Sequence, residues 1–177
     1  MKIYQTERLF ARHWTVDDIN FAVKLWGDPD VMQFIDLHGG LNQEQIAERL
    51  QSEIDRQNTF GVQYWPLFEK VTKQFIGCCG LRPWTHTPNE KNFELGFHII
   101  KEHWGKGFAI EAAKGSIGYA QKIGLTKLYA GHHPKNDASR KILLKLGFKH
   151  LEDVFYEPTG LYHPSYVLEI SCQNSMA

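Results

Sequence analysis

Phe93-Glu94-Leu95-Gly96-Phe97-His98-Ile99-Ile100, then Lys101-Glu102-His103, then Trp104-Gly105-Lys106-Gly107-Phe108-Ala109 reads as a strand, a short connection and the start of a helix. A helix N-terminus exposes unpaired backbone N–H groups and the positive end of the helix dipole, so it attracts phosphate. Gly105 and Gly107 let the backbone turn inward with no Cβ in the way, and successive N–H groups can then converge on a pyrophosphate. Two better-known phosphate motifs do not fit. A dinucleotide fingerprint needs a third glycine where this chain has Ile110, and a P-loop needs Ser or Thr where it has Gly107. On the two glycines alone, an ordinary turn between strand and helix remains the competing reading.

Working outward towards the N-terminus, Gln74–Arg82 and Phe60–Glu69 read as two further strands joined by a turn at Lys70–Lys73, with a proline-bearing loop at Trp84–Lys91. Asn42 and Gln45 form a capping-box pattern opening a helix to about Gln57, with Ile46, Leu50 and Ile54 on one stripe. Before it, Thr6–His13 reads as a strand. Thr15 caps a helix at Val16–Trp26, and Asp28-Pro29-Asp30 marks a turn followed by a brief helical piece. Towards the C-terminus, Ile110, Ala113, Ile117 and Ala120 line one face of a helix that reaches Ile123 and stops at Gly124. Thr126–His132 is strand-like. Asn136 caps a helix carrying Ala138, Ile142 and Leu146, and Gly147 ends it. Strands at Phe148–Tyr156 and Leu161–Ile170 follow, joined by the turn Glu157–Gly160. The order β-α-α-β-β-β-α-β-α-β-β predicts an antiparallel meander and then one parallel crossover. That is an α+β (mixed α/β) layer, not an all-parallel doubly wound sheet.

The chain has 177 residues, 42% hydrophobic and 23% charged, enough for one packed domain over 1–177 without a metal or disulfide staple. Twenty basic and twenty acidic residues cancel, which argues against direct nucleic-acid binding. No apolar run is long enough for a membrane span or a signal peptide. Cys78, Cys79 and Cys172 cannot all pair, and a reduced, cytoplasmic setting is the simplest expectation. Adjacent Cys78 and Cys79 should point to opposite faces of their strand as core residues. His132-His133 diverge for the same reason, so no metal site is expected there.

The stretch Trp104-Gly105-Lys106-Gly107-Phe108-Ala109-Ile110-Glu111-Ala112 closely resembles the acetyl-CoA signature of GCN5-related N-acetyltransferases (GNAT), within them the RimJ/RimL-type ribosomal-protein branch. The general signature Gln/Arg-x-x-Gly-x-Gly/Ala falls on Trp104, Gly107 and Ala109, with Trp104 a departure. Thr6-Glu7-Arg8-Leu9, Trp26-Gly27-Asp28-Pro29-Asp30 and Asn136-Asp137-Ala138-Ser139 through Gly147-Phe148 resemble other parts of the branch, in the right order.

The resemblance implies a GNAT-like, mostly antiparallel sheet with a splayed parallel pair, Phe93–Ile100 and Thr126–His132, and flanking helices. It implies that backbone groups near Phe97, His98 and Ile99 hold the pantetheine arm of acetyl-CoA, and that an N–H near His98 steadies an oxyanion. The turn Trp104, Gly105, Lys106, Gly107, Phe108, Ala109 would hold the pyrophosphate, with Asn136 and Ser139 beside the thiol end. Glu94 matches a family position that carries a catalytic glutamate in some members, so it is the candidate base; a cross-strand charge is the alternative. A tyrosine that many relatives use as acid is replaced here by Leu143. Ser139 matches the position of an acid in the relatives that acetylate ribosomal proteins, so the resemblance makes it the candidate acid, directly or by orienting water, with hydrogen bonding at a helix N-terminus its alternative. Tyr156, Tyr162 and Tyr166 are weaker candidates for substrate contacts. The implied reaction is direct transfer of acetyl from acetyl-CoA to a primary amine, either a protein N-terminus or a small amine. The acceptor pocket is expected at the first two helices and Glu157–Ser165. A non-catalytic acyl-CoA-binding module stays open, as does a homodimer.

Overall fold

Residues 2–84 and 92–170 are described by the computed structural model, and the chain begins with a strand that the sequence reading passes over. This strand, β1 (Lys2–Gln5), turns back into β2 (Leu9–Arg12), so the expected single strand Thr6–His13 is half turn. Thr6 drives the reversal. Its N–H donates to the Leu9 carbonyl at 2.9 Å, its hydroxyl oxygen accepts from Leu9 N–H at 3.0 Å, and its O–H donates to Glu111 at 2.5 Å.

A single 3₁₀ turn over Val16–Asp18 leads into α1 (Ile19–Trp26), and the Asp28 carboxylate accepts from Asp30 N–H at 2.8 Å to open the short α2 (Pro29–Met32). Asn42 and Gln45 exchange side-chain-to-backbone bonds, both 3.0 Å, at the start of α3 (Gln43–Phe60). The expected capping box therefore holds, but the helix runs three residues past the expected Gln57 because its stop is Gly61, in the left-handed conformation at φ 73°. Phe60 thus ends a helix and does not begin a strand.

Three strands follow as an antiparallel meander: β3 (Tyr64–Glu69), β4 (Phe75–Pro83) and β5 (Phe93–Ile99). The expected loop Trp84–Lys91 lies, beyond Trp84, outside the described residues, as does Cys172. The remaining elements are α4 (Phe108–Lys122), β6 (Lys127–Gly131), α5 (Asp137–Lys145), β7 (Lys149–Tyr156) and β8 (Leu161–Glu169).

The strands form one sheet in the order β1-β2-β3-β4-β5-β6-β8-β7. Every neighbouring pair is antiparallel except β5 and β6, which run parallel and share one registered pair, Glu94 with Tyr129. This is the expected mixed architecture with a splayed parallel pair. One sheet face packs Leu9, Trp65, Leu67, Cys79 and Leu81 against the alanine face of α4. The other packs Tyr64, Phe68 and Cys78 against Trp14, Trp26 and Leu50 from the α1 and α3 side. Cys78 and Cys79 thus enter different cores, as period-2 alternation requires. Burial pushes the Cys79 thiol up to about 12 and the Cys78 thiol higher still, so both stay protonated.

Candidate functional site

Divergence of β5 from β6 opens a cleft in the sheet, and a cavity of about 620 Å³ follows it from the N-terminus of α4 to the side of α3. Phe97, His98 and Ile99 form one wall, and Gly131, His132 and His133 face them. Ile100 N–H donates to the Ile76 carbonyl at 3.0 Å. Alternation along an antiparallel ladder then commits the main-chain groups of His98 to β4 and turns those of Phe97 and Ile99 to the cleft. The amides facing the cavity are therefore the two flanking His98, not its own. Trp104 Nε1 donates to the Ile99 carbonyl at 2.7 Å, so this tryptophan seals part of the strand edge.

At the α4 end, Gly105 and Gly107 both adopt left-handed conformations, φ 73° and 78°, and no atom lies within 4 Å of a Cβ built on Gly105. The turn is braced from β2. Arg8 donates to Glu111 at 2.6 Å and to the Lys106 carbonyl at 3.0 Å, and stacks on Phe108 at 4.4 Å. Burial alone would raise the Glu111 carboxyl, but hydrogen bonds from Thr6 and Arg8 hold it below the usual carboxylate range. Trp104, Gly105, Gly107, Phe108 and Ala109 border the cavity, while Lys106 does not; it contributes its carbonyl to Arg8 and its side chain is exposed. The open, left-handed turn at a helix N-terminus fits a diphosphate.

Glu94 lies on β5 at the one registered pair with β6, and its Oε1 accepts from the Tyr64 hydroxyl at 2.8 Å. Burial, then the Glu94 charge, pushes the Tyr64 phenol well above its ordinary value, so it remains a donor. The phenol reaches Glu94 across Gly96: a Cβ there would sit 2.1 Å from the Tyr64 hydroxyl. Among the described residues Glu94 Oε2 makes no hydrogen bond. Arg82 lies 4.0 Å over the Tyr64 ring and donates to Glu53 at 2.5 Å. Glu53, fully buried, also takes Arg56 at 2.9 Å and the Tyr64 N–H at 2.9 Å. His98 is half-buried, and desolvation first, then Arg49 and Arg82, lowers it well below 6.5. It is a neutral imidazole whose Nδ1 accepts from Trp26 Nε1 at 3.3 Å.

On the opposite wall, Asn136 Oδ1 accepts from Ser139 N–H at 3.1 Å and caps α5. The Ser139 hydroxyl has no hydrogen bond among the described residues and borders the cavity, as do Asn136 and Leu143. The helix-start bond is thus made by the Ser139 amide, leaving its hydroxyl uncommitted. His132 bonds Tyr166 at 3.2 Å through Nε2, and the His133 ring packs tilted against Phe34, centroids 5.2 Å apart.

The other half of the cavity, away from α4, is lined by Val31, Phe34 and Ile35 around α2, Arg49 from α3, and Tyr156 and His163 from the β7–β8 hairpin. Among the described residues none of α1 borders this half. Of the three candidate tyrosines only Tyr156 borders the cavity; Tyr162 is exposed and Tyr166 is engaged by His132. Sequence reading missed Tyr64, Arg49 and Arg82. Nothing local marks Tyr64, whose role depends on Gly96 two strands away. Arg49, Glu53 and Arg56 recur at four- and three-residue steps, a signal that reads equally as a solvated helix face.

Residues 8–149 match the family model described as an acetyltransferase (GNAT) domain. An uncharacterized N-acetyltransferase, p20, of Bacillus licheniformis is 28% identical over 152 residues, covering 84% of this chain and 83% of that protein. Among solved structures, an acetyltransferase of Salmonella typhimurium, described as modifying the N-terminal serine of ribosomal protein L7/L12, aligns with TM-score 0.78 and 16% identity. The alignment covers 97% of this chain and all of that one. A RimL ribosomal L7/L12 α-N-protein acetyltransferase in complex with coenzyme A aligns with TM-score 0.79 and 14% identity, over 96% and 98% of the two chains. At these identities the two structures share a fold with this chain.

Proposed function

This chain belongs to the acetyltransferase (GNAT) family, and on that premise we propose that it moves an acetyl group from acetyl-CoA to a primary amine by direct attack. The observation that carries the reading is one continuous cavity with an open, left-handed glycine turn at one end and a tyrosine-held carboxylate, Glu94, along its wall. Acetyl-CoA supplies the activated thioester carbonyl. The Gly105–Gly107 turn and the start of α4 hold its diphosphate, and the cleft-facing amides of Phe97 and Ile99 hold its arm.

A free α-amine has a pKa near 7.7–8.0 and is largely protonated at pH 7. Glu94 takes the proton from nitrogen through Oε2, the oxygen that Tyr64 leaves free. The new C–N bond forms and the C–S bond breaks; the attacking nitrogen then loses its second proton to water, and Ser139 Oγ passes a proton to the departing sulfur and regains one from that water. Cys78 and Cys79, buried and protonated, support direct attack over an acylated cysteine.

The likeness to the ribosomal-protein branch supports a peptide α-amine as acceptor. A small amine is the second reading, favoured by the partly buried Arg49 on the acceptor wall. Thiol release from acetyl-CoA, measured over N-terminal peptides, polyamines, amino acids and aminoglycosides, tests both. With the best acceptor, Glu94→Gln should lower kcat by about 10²–10⁴ at unchanged acetyl-CoA affinity, and Ser139→Ala should lower it less. Unchanged turnover and pH profile in both variants would refute the assignment.

A further inference from the structure

Arg49 projects from α3 into the acceptor half of the cavity. Its guanidinium packs 4.8 Å over the Trp26 ring, and its Nε is closed off from solvent with no partner. Among the described residues no carboxylate lies within ion-pair distance of it. The neighbouring acids are committed elsewhere. Glu53 takes Arg82 and Arg56, Glu94 takes the Tyr64 hydroxyl, and Asp30 takes Lys101 at 2.8 Å. Asp36 accepts the His38 N–H at 2.8 Å. Burial, then the nearby Arg82 charge, lowers the Arg49 guanidinium from its ordinary value.

Arg49 is not part of the diphosphate grip. The side chain bracing the glycine turn is Arg8, whose Nη2 lies 3.5 Å from the Cβ position of Gly107. The surroundings of Arg49 are instead Trp26, His98, Arg82 and Tyr156. Withdrawing a cation from water without an acid partner is costly, and the cost is recovered when a bound anion completes the pair. A guanidinium presents a planar fork that matches a carboxylate.

We propose that the acceptor is an amine that also bears a carboxylate, an amino acid in the broad sense, whose carboxylate is held by the Arg49 guanidinium while its amine faces Glu94. The proposal rests on the acetyl-transfer reading above and takes its small-amine branch in place of the peptide. Val31, Phe34 and Ile35 on the same wall favour an apolar side chain on that acceptor.

The test uses the full chain and thiol release from acetyl-CoA. Leucine, phenylalanine and methionine are each compared with the corresponding amide and with the decarboxylated amine. β-Alanine and 4-aminobutyrate vary the spacing between the two groups. At least one acid should exceed its amide by tenfold or more in kcat/KM. Arg49→Met keeps the stem over Trp26; it should bring that ratio towards one, mainly by raising KM for the acid, and Arg49→Lys should retain part of it. Amines and amides turning over as fast as the acids would overturn the carboxylate assignment and leave acetyl transfer standing. The wild-type comparison alone can give that result, so it does not depend on the variants folding. No thiol release with any amine would overturn acetyl transfer itself, and the assignment with it.

Discussion

Replacing Gly96 by alanine tests the link between the sheet and the chemistry most directly. The new methyl would lie 2.1 Å from the Tyr64 hydroxyl and 2.3 Å from Cζ. To regain ordinary contact at 3.4 Å the phenol must retreat by about 1.3 Å, which ends its 2.8 Å bond to Glu94. Arg82 over one side of the ring and the edge of His98 at 5.7 Å leave it little room. Overpacking of this kind costs about 1–3 kcal/mol of stability. For Glu94 as the proposed base, misplacement by about 1 Å costs on the order of 10²-fold in rate, near 2.7 kcal/mol of barrier. Gly96→Ala should therefore melt several degrees lower, fall about 10²-fold in kcat, and bind acetyl-CoA as the parent does. Tyr64→Phe keeps the ring and removes only the hydroxyl, so its rate should fall less, about tenfold. Kinetics by thiol release and binding by calorimetry read both effects. A folded Gly96→Ala protein with kcat within threefold of the parent would refute the positioning role of Tyr64.

Gly107→Val forces a β-branched residue to φ 78°, a strain of roughly 1–2 kcal/mol, at the proposed diphosphate site; acetyl-CoA affinity by calorimetry should drop at least tenfold. Burial, then the neighbouring His133 and His132, lowers His163 from 6.5 to about 4. The unfolded chain therefore takes up this proton first, and His163 costs the fold stability progressively as pH falls from 6.5 towards 4. His163→Gln should flatten that limb in denaturant titrations at stepped pH, and an unchanged slope would contradict the assignment. Cys78 and Cys79 should resist thiol reagents in the native protein and react only at the rate of unfolding, followed by absorbance with an aromatic disulfide.

What could be read from the sequence was local. The Asn42–Gln45 box, the Asn136 cap and the glycine turn each depend on a few consecutive residues, so the helices and the turn that opens α4 were legible. β1 was not, because Lys2–Gln5 is four residues long and its pairing rests on a Thr6 turn secured by Glu111, more than a hundred residues away. The end of α3 was misplaced because Phe60 suits a strand, and only the chain geometry at Gly61 assigns it to the helix. Within the site, Glu94 and Ser139 came from resemblance, whereas Tyr64 and Arg49 required the fold. Charged residues on α3 follow the period of an exposed face, yet Glu53 is fully buried because Arg82 from β4 and the Tyr64 amide complete its bonds.

The single registered pair between β5 and β6 has a mechanical consequence. Elsewhere in the sheet adjoining strands share three to seven registered pairs. One rung therefore joins a five-strand ribbon to a three-strand ribbon, and main-chain cooperativity is interrupted at that seam. The smaller ribbon is otherwise retained by side chains such as Leu128, Leu143 and Phe148. Such a seam is where slow local opening begins, and a molecule lodged along it supplies the absent rungs. Amide exchange in the last third of the chain should therefore track occupancy of the cleft: two loosely coupled pieces at rest, and one body during turnover.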